Sequence, residues 1–323
     1  MKPIRNSALY KLHAMALIAA FIALHIFIFA WNVPAIAGSA QRLFSSPEEA
    51  LKALTDAVKT NDQAALNKIF GPSWKDIHSG DEVQDKIEFE ELSKSLAQKS
   101  TLTYESDSKV TIQIGNEDWP FPIPIVKKDK KWFFDTEAGK EEILNRRIGE
   151  NELTAILVCR SYVKAQQEYI LKDWNGDGIF AYAQKLRSDR GKRNGLYWRA
   201  SAGEEISPLG ELVAKAWHEG YKKKKAAFRE EEPSPFHGYY FKILKRQGKN
   251  VPGGSYNYVI NGNMVGGFAL VAFPSNWGRS GIMTFVVNQQ GKVYQKNLGP
   301  DTIKKAENMK SYNPDNTWTL VKD

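Results

Sequence analysis

The sequence is poor in the residues that assemble reaction centres. Its 323 residues hold one cysteine, Cys159, and five histidines. A single thiol cannot close an internal disulfide, so no cross-link staples the chain. Cys159 sits on an apolar helical face and reads as a small buried hydrophobe; a reactive thiol wants exposure and a basic neighbour. Beyond the N-terminal leader the histidines are His78, His218 and His237. They are far apart, with no His-x-x-x-His pair and no cysteine cluster, so zinc has little to bind. Gly278-Arg279-Ser280-Gly281 lacks the Gly-x-Ser-x-Gly spacing of a nucleophile elbow. No glycine loop of P-loop type is present. No catalytic residue is assigned. Concentrated charge is missing too. The formal charge is +8, and with Lys2, Arg5 and Lys11 set aside as leader residues the remainder is near +5. That mild, dispersed excess is not the basic stripe of a nucleic-acid-binding face.

What is present begins with a leader. Residues 1–37 carry a basic start (Lys2, Arg5, Lys11), an apolar run at 12–31 broken only by His13 and His25, and Ala35-Ile36-Ala37, a small-x-small box that fits signal cleavage. The run is long enough to serve instead as a retained anchor. No cysteine follows it to take a lipid. These features predict a periplasmic or secreted bacterial protein, touching a membrane only through an uncleaved leader. Hydrophobic residues make up 42% of the chain, too many for disorder. The length suggests about two domains at ~150 residues each.

The organising stretch is 150–172. At helical spacing Leu153, Ile156, Cys159, Val163 and Ile170 fall on one broad face, flanked by Ala155, Tyr162, Ala165 and Tyr169, with Thr154, Ser161, Lys164 and Glu168 as a polar stripe. It ends at Asp173-Trp174-Asn175-Gly176-Asp177-Gly178, where glycine and Asx residues turn the chain. Before it, 139–148 is helical and Gly149 is a candidate break. Strands expected at 239–244, 268–273, 282–287 and 293–296 form an antiparallel sheet laid on this helix. A helix at 209–228 closes on the cations Lys222–Lys225, which a solvated helix end explains.

The N-terminal half reads as helices followed by a meander. Ser46, Pro47 and Glu49 mark a capped helix start, Asp62 a second, and a third runs from about Asp85 to Gln98. Val110, Ile112 and Ile114 alternate as a half-buried strand. Trp119-Pro120-Phe121-Pro122-Ile123-Pro124 is an edge or extended segment, because proline donates no ladder bond. Lys127–Lys131 is a hairpin tip. The fold class is therefore α+β: N-terminal helices with a curved antiparallel sheet at 41–138, and a long helix packed on an antiparallel meander at 139–323.

Three resemblances attach to these residues. Pro47-Glu48-Glu49-Ala50, Leu54, Val58, Asp62, Ala65-Leu66 and Phe70 resemble the cystatin-like, NTF2-like superfamily, which implies a sheet wrapping a helix around a pocket or a core. Asn151-Glu152, Ala155-Ile156, Arg160, Ala165-Gln166, Tyr169 and Asp177-Gly178, with Gly267-Phe268-Ala269-Leu270 and Gly291-Lys292-Val293, resemble pseudopilin globular heads. In pilins, however, the leader lies directly before the helix, and here a whole domain intervenes. Across most of the chain, Trp119–Pro124, Asn145-Arg146-Arg147-Ile148-Gly149, Gly195-Leu196-Tyr197-Trp198, His237-Gly238-Tyr239-Tyr240-Phe241 and Leu298-Gly299-Pro300-Asp301 resemble a bacterial exported family catalogued as domain of unknown function 2950. That resemblance implies an envelope location and carries over no catalytic residue.

Few positions remain as site candidates. Asp173, Asn175 and Asp177 match the first half of an EF-hand-type calcium loop, but Gln184 at its twelfth position cannot give a bidentate carboxylate. A plain helix-ending turn is the competing reading, and no other cofactor is expected. Trp119, Trp277 and His237 are possible ligand contacts. The expectation is a non-enzymatic module binding an envelope protein or ligand. An enzyme with a pocket in the N-terminal domain, or a pilus- or secretion-associated accessory, is the alternative.

Overall fold

The computed structural model describes residues 41–174, 176–201, 203–218 and 235–322. Residues 1–40, with Ala35 and Ala37, Asn175, and the run from Lys222 to Glu232 lie outside the described residues. Helix α1 (Pro47–Lys59) begins where the capping residues predict: Ser46 Oγ accepts the Glu49 amide. The Glu49 carboxylate returns to the Ser45 amide at 2.8 Å, one residue earlier than a strict capping box. Asp62 caps α2 (Gln63–Phe70), and Gly71, at φ 74°, ends it ahead of the short 3-10 turn Pro72–Asp76. Asp81 caps α3 (Glu82–Gln98), so that helix starts earlier than Asp85.

Five strands follow: β1 (Ser100–Ser106), β2 (Lys109–Ile114), β3 (Trp119–Pro120), β4 (Ile125–Lys128) and β5 (Lys131–Phe134). They form one antiparallel sheet in the order β1-β2-β4-β5, with β3 beside β2. Pro120 pairs at the end of the short β3, and the next two prolines lie outside any ladder, as the missing amide donors require. Leu54, Phe70, Val110, Ile112, Ile125 and Phe134 fill the core between sheet and helices.

The long helix, α4 (Thr136–Tyr169), runs 34 residues without interruption. Gly149 does not break it: a break needs a competing partner or a steric reason, and nothing lies within 4 Å of where a Cβ would stand there. Gly139 is different. Its Cβ would come within 2.7 Å of the Ile123 backbone, so α4 touches the proline segment only because that residue is glycine.

After α4 an irregular segment, helix α5 (Gly210–His218) and the second sheet follow. Strands β6 (Tyr239–Leu244), β11 (Ala269–Pro274), β12 (Met283–Asn288), β13 (Tyr294–Asn297) and β14 (Thr319–Leu320) are antiparallel in the order β14-β13-β12-β11-β6. Two small ribbons, β7 (Arg246–Gln247) with β8 (Tyr256–Asn257) and β9 (Val259–Ile260) with β10 (Asn263–Met264), lie between β6 and β11 in sequence. The expected meander is present within a residue or two at each strand end. Every residue of β11 is buried, and both α4 and α6 (Thr302–Glu307) pack against that strand.

The face α4 presents to this sheet keeps Ala155, Cys159, Tyr162, Val163, Ala165 and Tyr169 of the apolar arc, and turns away from Leu153, 65% exposed, toward Asn151, Val158 and Gln166, which are buried. Polar anchors set this rotation. Asn151 Nδ2 donates to the Ser280 carbonyl, and Glu152 Oε1 accepts the Ile282 and Met283 amides, each at 2.9 Å. Tyr162 donates to the Ala269 carbonyl. These bonds satisfy backbone groups at the sheet margin that burial would otherwise leave orphaned. Toward the N-terminus the Arg147 side chain is 3% exposed and forks onto Glu88 of α3 at 2.8 and 3.2 Å. Gln84 of α3 donates to Asn151. One helix thus contributes to the large C-terminal core and, through Ile143, to the N-terminal one, and ionic and amide contacts tie α3 to it.

Candidate basic cleft

The end of α4 is built by a buried amide. Gln166 is fully buried; its Nε2 donates to the Ala183 carbonyl and its Oε1 accepts the Ala183 amide, both at 2.8 Å. This two-way bond holds the segment after Phe180 against the helix. Met264 receives the Tyr182 amide from the other side. Tyr169, the last helical residue, donates its hydroxyl to the Arg193 carbonyl at 2.6 Å, fixing the turn at 191–194. The Trp174 indole donates to the Tyr169 carbonyl at 2.8 Å.

Between these segments lies a cleft of about 700 Å³. Its walls carry Lys172, Lys185, Lys192, Arg193 and Lys245, with Tyr169, Trp174 and Tyr182 as aromatic surface. Among its described lining residues there is no aspartate, glutamate, histidine, cysteine or serine. Lys172 pairs with Glu205, and Lys185 with Asp189 at 2.8 Å. Lys192, Arg193 and Lys245 have no ion pair among the described residues. The Arg193 guanidinium lies 5.7 Å from the Trp174 ring centre and 5.5 Å from that of Trp198, and Lys172 Nζ lies 5.5 Å from Trp174. Such stacking holds a cation in place without neutralising it. Burial pushes the Tyr169 hydroxyl up to about 12, so that residue stays a neutral donor. The arrangement offers positive charge, ring faces and amides to a small ligand, within the usual size of such sites.

The residues singled out in the sequence lie elsewhere or at the rim. Asp173 uses both carboxylate oxygens on its own loop, accepting the Gly176 and Gly178 amides at 2.8 Å each. Asp177 accepts the Ile179 amide at 2.8 Å. Among the described residues no group of three or more His, Cys, Asp or Glu side chains could hold a metal ion. Trp119 is exposed at the β2–β3 turn, its indole donating to Glu117. Trp277 is half-buried and donates to Asn297 at 3.0 Å. His237 occupies a two-residue turn at φ 44°, followed by Gly238 at φ 68°, where Phe236 and Tyr239 exchange both backbone bonds. Both values are positive, the signature of a type I′ turn. It lies near enough to Glu150 to oppose the rise in that carboxyl's pKa, which burial causes first and Glu88 and Glu91 reinforce. None of these three residues lines the cleft.

A second hollow of about 250 Å³ lies between the first sheet and α4, lined by Glu105, Lys109, Gln113, Phe121, Glu142 and Arg146 among others. Its charges are already matched: Lys109 pairs with Glu105 at 2.8 Å and Arg146 with Glu142 at 2.7 Å. Cys159 is buried, and burial pushes its thiol up to about 12, which suits the structural reading. No helix among the described residues is long and apolar enough to cross a membrane.

Fold and cleft together define an α+β module in which a long helix packs on the second of two antiparallel sheets and ends at a basic, aromatic-lined hollow. The chain belongs to the family described as protein of unknown function (DUF2950), which it matches over residues 41–321. No curated protein and no solved structure matches it.

Proposed function

We propose that this chain is an exported, non-enzymatic binding module whose ligand is anionic and sits in the cleft at the end of α4. The observation that carries the reading is the uneven charge of the lining: five cations and no carboxylate among the described residues, three of those cations without an ion pair. Uncompensated charge of one sign in a concave wall raises the local concentration of the opposite sign. The lining offers ring faces and fixed donors and no acid–base pair, which favours holding over converting. Export rests on the leader, with periplasm or exterior as destination. A pilin-head-like second half is supported by the long helix laid on the antiparallel meander, and an NTF2-like first half by the sheet that meets the N-terminal helices.

The test uses trimesate, a benzene tricarboxylate, and its neutral triamide. Trimesate is expected to raise the melting temperature of the full chain and the amide to leave it unchanged. The triple variant Lys192→Ala/Arg193→Ala/Lys245→Ala is expected to lose the response. A variant that responds as the parent does contradicts the reading. Calcium at Asp173, Asn175 and Asp177 is tested in the same way. Bound calcium raises the melting temperature at millimolar concentration, and an unmoved transition counts against it.

A further inference from the structure

We infer that the ligand of the basic cleft is an acidic saccharide, a short chain of sugar rings carrying carboxylates, held by cations from two separate segments of its wall. This rests on the cleft being the ligand site and adds the chemical class. Three features of the wall point to it.

The cations that lack ion pairs among the described residues come from different parts of the chain. Lys192 and Arg193 stand on the turn that Tyr169 fixes, whereas Lys245 directly follows β6. A ligand that meets both groups is best served by more than one negative charge. The rest of the lining includes rings and amides: Trp174 and Tyr182, with Gln184 and Asn263. Aromatic faces stack on the apolar faces of sugar rings, and amides serve ring hydroxyls. Ile179 and Phe180, 42% and 57% exposed, extend apolar surface on the segment between Trp174 and Tyr182.

The third feature argues against a phosphate chain. Phosphate sites favour helix N-termini, where amides converge and the dipole is positive. This cleft lies at the opposite pole. Tyr169 is the last residue of α4, and the carbonyl end of a 34-residue helix carries partial negative charge. That end offsets part of the cations' pull, and it weighs most against a compact polyanion. A saccharide spreads single charges over several rings and presents hydroxyl donors between them, which suits a wall that mixes cations with a negative helix end.

The arrangement also supplies a signal. Arg193 covers Trp174 and Trp198. A carboxylate that draws the guanidinium away from the rings changes their emission. The experiment titrates the full chain with a uronic-acid trisaccharide, with maltotriose as its neutral counterpart and with inorganic tripolyphosphate, following tryptophan fluorescence. Trp198→Phe tests the origin of the signal, because Arg193 covers that ring and the ring does not line the cleft. The uronic-acid trisaccharide is expected to bind at least about tenfold more tightly than either comparator, with an affinity that falls as salt rises. The change is expected to shrink in Trp198→Phe while calorimetric binding persists. Tripolyphosphate binding as tightly or more tightly, in a manner lost in the triple lysine–arginine variant, overturns the saccharide class and leaves the cleft as an anion site. Maltotriose binding as well as the uronate removes the role of charge. No binding of any of the three, together with no thermal response to trimesate, overturns the cleft reading itself.

Discussion

At the scale of single residues, Glu152 shows how a polar side chain decides what a helix buries. One carboxylate oxygen accepts two consecutive amides, Ile282 and Met283, at the entry to β12. Glu152→Ala leaves both donors without a partner, and urea denaturation should show a loss of about 2 kcal/mol. Glu152→Gln keeps an acceptor oxygen and should lose less than half of that. Equal stability of all three chains would show that water replaces the carboxylate. Asn151 and Gln166 act in the same way, and all three lie outside a reading based on hydrophobic spacing alone. That is why Leu153, apolar and at the right period, reads as buried from spacing although it lies in the open. Cys159 was legible because burial of a small hydrophobe needs nothing but its neighbours. The cations of the cleft were not. Lys185, Lys192 and Arg193 are unremarkable in sequence, and Lys245 joins them only through the fold. The cluster of basic residues between Lys185 and Arg193 was the one available signal, and a solvated loop produces the same composition.

At the scale of elements, the two glycines of α4 make opposite predictions. Gly149 stands in mid-helix with open space around it, so Gly149→Ala should stabilise the chain by about 0.5–1 kcal/mol through backbone entropy. Gly139→Ala drives a methyl against Ile123 and the Pro122 carbonyl and should cost about 1–3 kcal/mol. Chemical denaturation of the pair reads both signs. A destabilised Gly149→Ala would mean that the helix needs its flexibility there. Sequence alone ranks Gly149 as the break, because it sees the missing side chain and not the space around it. Four of the five strands of the second sheet are legible to within a residue or two, and the two-residue β14 is not. Their runs of alternating or continuous apolar residues are bounded by turn residues such as Gly278, Gly281 and Gly291. The starts of α1 and α2 were legible because Ser46 and Asp62 act locally. The start of α3 was placed late because Asp81 and Asp85 are equally good caps in sequence; only the fold sends the Asp85 carboxylate to the Ser79 amide.

At the scale of the whole described chain, buried ionisable groups set an upper limit in pH. Burial pushes the Cys159 thiol from 9.0 to about 12 and raises the Tyr162 and Tyr239 hydroxyls well above their ordinary 10.0. The folded state therefore keeps protons that the unfolded chain releases. The stability these groups contribute is complete below about pH 9 and is lost progressively as pH rises toward 12. Calorimetry should show a melting temperature that falls across that window, and the tyrosinate absorbance of the buried set should appear only with unfolding. Full tyrosinate titration of a folded chain near pH 10 would contradict the burial. The function proposed for the same fold depends on where a ligand settles, and hydrogen exchange with and without trimesate measures that most directly. Protection confined to amides at 172–194 and around Lys245 and Asn263 is the predicted result. Protection that appears instead around Trp119, Trp277 or His237, with the cleft unchanged, would contradict it.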